Sequence, residues 1–124
     1  MIVGVGVDLI ETHRIQKAMS RKGFLEKYFT QQERELVKEN VEKIAGNFAS
    51  KEAVSKVFST GFVGFSPKDI EVLRLESGKP KVNLNEGAKK LAQQQNITNI
   101  HLSISNTKEY VVAYAVGESM KKEG

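Results

Sequence analysis

The sequence predicts an α+β fold in which a mainly antiparallel sheet packs against one long buried helix. Strand patterns and helix patterns are segregated along the chain more than they alternate, and short turns join neighbouring strands. A stretch at about 42–59 is apolar on nearly all sides, which is typical of a buried helix. The 124 residues, 40% of them hydrophobic and 27% charged, suit a single domain over residues 1–124 with a substantial core.

The first predicted strand, residues 2–10, has two different faces because side chains alternate along a strand. One face carries Val3, Val5, Val7 and Leu9, and the other carries Ile2, Gly4, Gly6, Asp8 and Ile10. The glycines leave room for another backbone or a ligand to approach closely. Aspartate is disfavoured in strands, so Asp8 is either a turn-forming residue at the strand end or a functional one.

Capping signals predict the helices that follow. Thr12 is expected to cap a short helix, and Gly23 then breaks the chain. Thr30 and Glu33 have the spacing of a capping box, which predicts a helix from about 31 to 40. The long apolar helix comes next, and Gly61 is expected to end it.

Sequence patterns in the second half of the chain predict four strands and one helix. The stretches "DIEVLRLE" and "PKVNL", joined by "SGK", indicate a hairpin, and Asn85 is expected to cap a helix through about Gln95. "NIHLSIS" and "YVVAYAV", joined by "NTKE", predict the last two strands. One side of "NIHLSIS" is apolar, and the other is either solvated or lines a ligand groove; that polar side carries His101, Ser103 and Ser105.

Composition narrows the class of partner and the compartment. The net charge of +4 suggests an anionic partner, which could be a nucleic acid, a phosphorylated ligand or an acidic protein. The absence of cysteine excludes disulfides, thiolate nucleophiles and cysteine zinc sites. No apolar run is long enough to span a membrane, and "MIVGVGVDLIE" lacks a basic leader. We therefore expect a cytoplasmic protein without a membrane partner.

Two charged residues in the predicted buried helix, Glu52 and Lys56, require a reason, because buried charges are paired, bind a metal or face a cleft. One interpretation is an i,i+4 ion pair in the favoured orientation. The other combines Glu52 with Asp8, since one or two carboxylates are typical Mg²⁺ ligands beside substrate phosphates. Lys56 would then meet a phosphate oxygen, an arrangement that suits phosphoryl transfer. The spacing alone leaves both interpretations open.

Other kinds of site lack their motifs. His13 and His101 do not have the spacing of zinc ligands, and neither a phosphate-binding G-x-x-x-x-G-K-[ST] loop nor a G-x-S-x-G turn is present. "GVGVDL" lacks the third glycine of a dinucleotide fingerprint.

Five segments occur in the order seen in one enzyme family: "GVGVDLIETHRI", "FTQQERE", "FASKEAVSKVFSTG", "SGKPKV" and "HLSISNTKEYVVAYAV". With these segments the chain resembles the holo-acyl-carrier-protein synthases, which are small 4′-phosphopantetheinyl transferases. The resemblance runs from residue 2 to about 117. Its most specific parts are G-x-D near the N-terminus and F-A-x-K-E-A-x-x-K in the middle.

The resemblance implies a reaction and a metal site. The family transfers the 4′-phosphopantetheine arm of coenzyme A to a serine of apo acyl carrier protein, which supports fatty acid biosynthesis, and releases adenosine 3′,5′-bisphosphate. Asp8 and Glu52 match the residues that hold Mg²⁺, and Lys56 matches a lysine near the coenzyme A phosphates. The general base stays open between Glu52 acting directly, Glu52 acting through water, and a hydroxide on the metal.

The resemblance also implies binding residues and an assembly. Arg14 matches a basic residue that meets the acidic recognition helix of the carrier protein, and Gly61 matches the region around the nucleotide. Ser103 and Ser105 match the same region, while His101 keeps its family position and shapes the pocket. Family members commonly form homotrimers with each site at a subunit contact.

Three positions depart from the family pattern, and two rival hypotheses remain. Many relatives have arginine where Asn47 stands, glycine where Ser59 stands, and histidine where Asn106 stands. The first rival is a non-catalytic basic module that binds RNA or an acidic protein, but the basic residues are scattered and no nucleic-acid motif accompanies them. The second is a degenerate member that binds coenzyme A without transfer, which the presence of Asp8 and Glu52 disfavours.

Overall fold

The computed structural model describes residues 1–60 and 62–120, and its centre is a three-stranded antiparallel sheet. The strands are β1 (Ile2–Glu11), β4 (Asn99–Asn106) and β5 (Tyr110–Glu118), in the order β1-β5-β4. A separate antiparallel hairpin consists of β2 (Ile70–Arg74) and β3 (Pro80–Leu84). The α+β class with antiparallel pairing, predicted from the segregated patterns, is confirmed.

Five α-helices connect these strands in the described part of the chain. They are α1 (Thr12–Met19), α2 (Phe24–Tyr28), α3 (Gln31–Val37), α4 (Val41–Val57) and α5 (Glu86–Gln94), with a 3₁₀ turn at Pro67–Asp69. The capping box that starts α3 is present, since Thr30 Oγ1 accepts from the Glu33 backbone N–H and the Glu33 side chain accepts from the Thr30 N–H. Helix α3 ends earlier than expected, where Lys38 takes a φ of 49°.

Helix α4 is the buried helix that the sequence predicts. Most of its 17 residues are buried, and its apolar side chains pack against both β1 and β5. Its predicted stop at Gly61 lies outside the described residues. Within them, the helix ends at Val57, Phe58 caps it, and Ser59 leaves it with a φ of 61°.

The glycine face of β1 lies directly against α4. A Cβ at Gly4 would collide with the Val57 carbonyl oxygen, and a Cβ at Gly6 would collide with the Ala53 carbonyl oxygen. Only glycine permits this close approach of strand to helix. The opposite face of β1 stays exposed, and Val5 retains 51% of its accessible surface. The glycine face of β1 is therefore packed against α4, whereas the valine face is exposed.

Two sequence-based expectations about polar residues were wrong. Thr12 is the first residue of α1 and Glu11 is the cap, without a side-chain capping bond. The most buried charge of α4 is not Glu52 or Lys56 but Lys51, which is 1% exposed. Its ammonium group donates to Glu33 Oε1 at 2.7 Å and to the carbonyl oxygens of Pro67 and Ile70.

No helix among the described residues is long and apolar enough to cross a membrane.

Candidate active site

Asp8 and Glu52 face each other where β1 packs on α4. Asp8 lies on the glycine face of β1, two residues after Gly6, and Glu52 lies on α4 beside Ala53. The two backbones lie very close at this point, because a Cβ at Gly6 would collide with the Ala53 carbonyl. The end of β1 and helix α4 thus place the carboxylates of Asp8 and Glu52 near each other, and both are half-buried.

Electrostatics show that the two carboxylates interact. The pKa of Glu52 is raised, first by desolvation and then by the negative charge of Asp8, although Lys56 opposes the shift. The pKa of Asp8 is also raised by desolvation, against the opposing effect of Lys56. Two partly desolvated carboxylates that repel each other are stabilised by a cation between or beside them.

Lys56 contacts Asp8 rather than Glu52. Its Nζ lies 3.5 Å from Asp8 Oδ1 and donates to the Val7 carbonyl oxygen at 2.8 Å. No ion pair within 4 Å joins it to Glu52, although both residues are among those described. The simple i,i+4 pair, one of the two interpretations of the sequence, is therefore not what the structure contains. Half of the Lys56 side chain is exposed, at 52%, so its ammonium can meet a ligand.

The donor set of the pair fits Mg²⁺. Carboxylate oxygens are hard ligands, and Mg²⁺ in phosphoryl-transfer sites commonly uses one or two of them and completes its shell with phosphates and water. Over residues 1–60 and 62–120 no group of three or more histidine, aspartate or glutamate side chains forms a complete protein cage for a metal. Asp8 and Glu52 would therefore supply only part of the ligands of such an ion, and phosphates or water would supply the rest.

The polar residues of β4 lie on the other face of the sheet. Strand pairing sets Val7 beside Tyr114 and Tyr114 beside Ser103, whereas Asp8 is paired through Ala113 to Ile104. Paired residues point to the same side of a sheet, so the Ser103 side chain points away from the face that carries Asp8. The strands β1 and β4 are also about 10 Å apart, which is two strand spacings. Within one chain, the structure does not bring the two groups of predicted site residues together.

His101 and Ser103 line a cavity on this outer face. The cavity measures about 470 Å³ and extends to Lys79 and Pro80 of the hairpin. His101 Nε2 lies 2.9 Å from Glu118 Oε1, which fixes the ring at the cavity wall. Ser105 continues the same face and is exposed.

Arg14 and Gly61 complete the predicted set. The Arg14 side chain is 73% exposed on α1, one turn after the strand that carries Asp8, with Glu11 Oε1 3.9 Å from its Nε. Gly61 lies outside the described residues.

A buried polar network that the sequence did not reveal includes Lys51, the neighbour of Glu52 on α4. Glu33 accepts from Lys51 and, through Oε2, from the Val72 backbone N–H at 3.1 Å and from Asn47 Nδ2 at 3.2 Å. Burial lowers the pKa of Lys51, and the Glu33 charge opposes that shift. The network ties α3, α4 and β2 together. The signal for this network in the sequence is a further charged residue, Lys51, in a helix that is otherwise mostly apolar.

Comparisons with known proteins show the family of the chain. The model of the 4′-phosphopantetheinyl transferase superfamily matches residues 4–115. A holo-[acyl-carrier-protein] synthase of Lachnoclostridium phytofermentans is 51% identical over 122 residues, which cover 98% of this chain and 100% of the relative. The synthase of Clostridium perfringens is 49% identical, and 95% of each chain is covered.

Solved structures of similar proteins have the same fold. The Helicobacter pylori synthase in complex with coenzyme A gives a TM-score of 0.84 at 31% identity, and 92% of this chain and 99% of that chain are covered. The Bacillus anthracis synthase, described in complex with CoA (3′,5′-ADP), gives 0.81 at 39% identity with 96% and 98% covered.

Proposed function

Because the chain belongs to the 4′-phosphopantetheinyl transferase superfamily, and within it to the holo-acyl-carrier-protein synthases, we propose that it transfers 4′-phosphopantetheine from coenzyme A to a serine of apo acyl carrier protein. The whole chain, residues 1–124, acts as one transferase domain. The juxtaposition of Asp8 and Glu52, half-buried and mutually repelling, is the observation that carries the proposal.

Asp8 and Glu52 would hold Mg²⁺ against the diphosphate of coenzyme A. When bound, the ion supplies positive charge that offsets the charge of the diphosphate and of the leaving bisphosphate. The serine oxygen attacks the β-phosphorus and forms the new P–O bond, while the bond from that phosphorus to the bridging oxygen breaks. Adenosine 3′,5′-bisphosphate leaves with the electron pair, and the serine proton passes to a base at the site.

Lys56 binds a phosphate oxygen of coenzyme A in this arrangement. Its ammonium group is half-exposed and anchored by the Val7 carbonyl oxygen, so it can donate to an anion without leaving Asp8. A fixed cation at the reacting phosphate lowers the barrier because it needs no reorganisation during the reaction.

The chain is proposed to act as a homotrimer. The outer face of the three-stranded sheet exposes apolar side chains, and this sheet face comprises Val5, Val7, Leu9, Val112, Tyr114 and Val116. Exposed apolar patches of this kind mark interaction surfaces. Ser103, Ser105 and His101 lie on the same face, away from Asp8 and Glu52. A site that uses both groups therefore needs a second copy of the chain, which supports sites at subunit contacts.

Arg14 is proposed to meet the carrier protein. It is exposed, follows the strand that carries Asp8, and adds to the net charge of +4. A positive residue near the reacting centre favours an acidic helix, because complementary charge raises the rate of encounter. The product carries an acyl-binding arm, so we infer a role in fatty acid biosynthesis, together with a cytoplasmic location without nucleic-acid or membrane partners.

One assay tests the proposal. Incubation with apo acyl carrier protein, coenzyme A and Mg²⁺ is expected to raise the carrier mass by one phosphopantetheine, as measured by mass spectrometry. Omission of Mg²⁺ serves as the control and should abolish the gain. A carrier whose mass stays unchanged in the complete mixture would contradict the transferase and favour the rival, a basic module that only binds.

A further inference from the structure

A half-buried arginine outside the proposed metal site lacks a role in the mechanism. Arg74 is the last residue of β2, and its Nη2 donates to Asn47 Oδ1 at 3.0 Å while Nη1 donates to the Leu73 carbonyl oxygen at 3.1 Å. A guanidinium has five N–H donors. Among the described residues these two bonds leave further donors available to a ligand.

Asn47 holds this guanidinium in one orientation. The Asn47 side chain is fully buried, and its Nδ2 donates to Glu33 Oε2 at 3.2 Å and to the Val72 carbonyl oxygen at 2.9 Å. These two bonds assign the amide orientation, so Oδ1 points toward Arg74. Asn47 on α4 thus holds the guanidinium of Arg74, which lies on β2.

Arg74 lines a cavity of about 290 Å³ together with a second cation, Lys43. The wall also contains Asn106 and Glu42, and the Glu42 carboxylate already accepts from Asn106 Nδ2 at 3.1 Å. The cavity wall thus carries two positive charges, from Arg74 and Lys43, and one negative charge, from Glu42, so its net charge is positive. A concave positive site with a guanidinium fork suits a phosphate monoester, which arginine binds through paired hydrogen bonds.

The cavity adjoins the one that contains His101 and Ser103. Both cavities are lined by Pro80 and Ile104, so one extended ligand could occupy the two. Coenzyme A has this form, since its ribose carries a phosphate monoester on the 3′ oxygen beside the nucleotide base.

We propose that Arg74, positioned by Asn47 and assisted by Lys43, binds the ribose 3′-phosphate of coenzyme A and so selects coenzyme A over its 3′-dephospho form. The inference rests on the proposed function, because it takes coenzyme A as the ligand. Arg74 supplies the guanidinium from the end of β2, and Lys43 adds a second positive charge from α4.

Isothermal titration calorimetry with coenzyme A and with 3′-dephospho-coenzyme A tests this assignment through the ratio of the two dissociation constants. We expect the unaltered protein to prefer coenzyme A by at least about tenfold, the scale of a charge-assisted pair. Arg74→Met should reduce this ratio by about tenfold, and Lys43→Met, at an exposed position, by about threefold. Lys81→Met is the matched control on β3, outside both cavities, and should leave the ratio unchanged.

Asn47→Ala separates positioning from a purely structural role. A positioning residue lowers the preference for coenzyme A, whereas a structural one lowers only the melting temperature. Equal ratios in the unaltered protein, Arg74→Met and Lys43→Met would overturn the inference, as would a failure to bind either compound. Preference for coenzyme A in a protein that transfers nothing would contradict the proposed function alone. Transfer with equal use of both compounds would contradict this inference alone.

Discussion

Glu52 and Lys56 share one turn of α4, yet they contact different partners. Lys56 reaches across to Asp8 and the Val7 carbonyl oxygen on β1, and Glu52 faces Asp8 without an ion pair to Lys56. The sequence showed that both residues needed a reason, but spacing along one helix could not reveal which strand lies opposite. Contacts between elements distant in sequence decide that, and here the glycines of β1 determine the approach.

Lys51 illustrates a residue whose role the sequence concealed. The functional hypothesis from the sequence concerns Glu52 and Lys56 on the same helix. Lys51, however, is the buried charge, and its ammonium group donates to Glu33 and to two carbonyl oxygens. The sequence predicts Glu33 as a capping residue of α3, and the capping box is present. The Glu33 carboxylate therefore both caps α3 and binds Lys51. A pattern of neighbouring residues predicts only the capping role.

Arg14 gives a prediction about partner choice. Arg14→Glu should raise the KM for acyl carrier protein by at least about tenfold, because like charges across an interface cost affinity and encounter rate. The dissociation constant for coenzyme A should stay nearly unchanged. Steady-state kinetics and calorimetry measure the two effects, with Lys90→Glu on α5 as the charge-matched control. Equal losses for both substrates, or none, would show that Arg14 is only a solvated residue.

At the scale of elements, the contact between β1 and α4 holds the site. Gly6→Ala should lower the free energy of unfolding by about 1–3 kcal/mol, because the added methyl group collides with the Ala53 carbonyl and must push strand from helix. The same displacement separates Asp8 from Glu52, so activity should fall in the protein that remains folded. Urea unfolding and the carrier-mass assay measure the two effects.

Gly46→Ala is the control for the unfolding measurement. A Cβ at Gly46 would lie 3.5 Å from Ile104 Cγ2, which is ordinary contact, and alanine favours a helix interior by up to about 1 kcal/mol. We expect equal or higher stability for this variant. Gly6→Ala with unaltered stability and activity would show that β1 and α4 do not need their close approach.

The end of α4 has a backbone conformation that favours glycine, at a position where this chain has serine. Ser59 has a φ of 61°, a left-handed conformation that glycine adopts without cost, and many relatives carry glycine there. Ser59→Gly should therefore raise the free energy of unfolding by about 1 kcal/mol, the scale of the left-handed penalty. Thermal unfolding of the variant tests this, and a lower melting temperature would count against the left-handed conformation.

Most elements could be predicted from local patterns, and their arrangement could not. Alternation predicted β1, β4 and β5, and the capping box predicted the start of α3, because these signals lie within a few neighbouring residues. Helix α2 was missed since five residues give too short a pattern. The assignment of the valine face of β1 to the outside was not predictable, because alternation separates two faces without stating which one is covered.

At the scale of the whole molecule, the proposed homotrimer would account both for the exposed apolar sheet face and for the separation of the predicted site residues into two groups. Light scattering should give three times the 13.8 kDa chain mass. Tyr114→Glu places a charge within the outer sheet face and should both dissociate the trimer and abolish transfer, because burial of an unpaired charge is costly. Val63→Glu, an exposed apolar residue outside that face, is the control. A fully active monomer at micromolar concentration would refute the trimer.

The most direct test of the central claim, that Asp8 and Glu52 form a metal-dependent transfer site, is the rate of carrier mass gain for Glu52→Gln across a Mg²⁺ titration. We predict at least about a hundredfold slower turnover, the scale of losing one electrostatic stabiliser, and a shift to higher Mg²⁺. The melting temperature without metal should stay equal or rise, since the repulsion with Asp8 is removed and Lys56 keeps its partners. Glu39→Gln, exposed on the surface, should match the unaltered protein. An unchanged Mg²⁺ titration with a large drop in melting temperature would remove Glu52 from the metal site and contradict the claim.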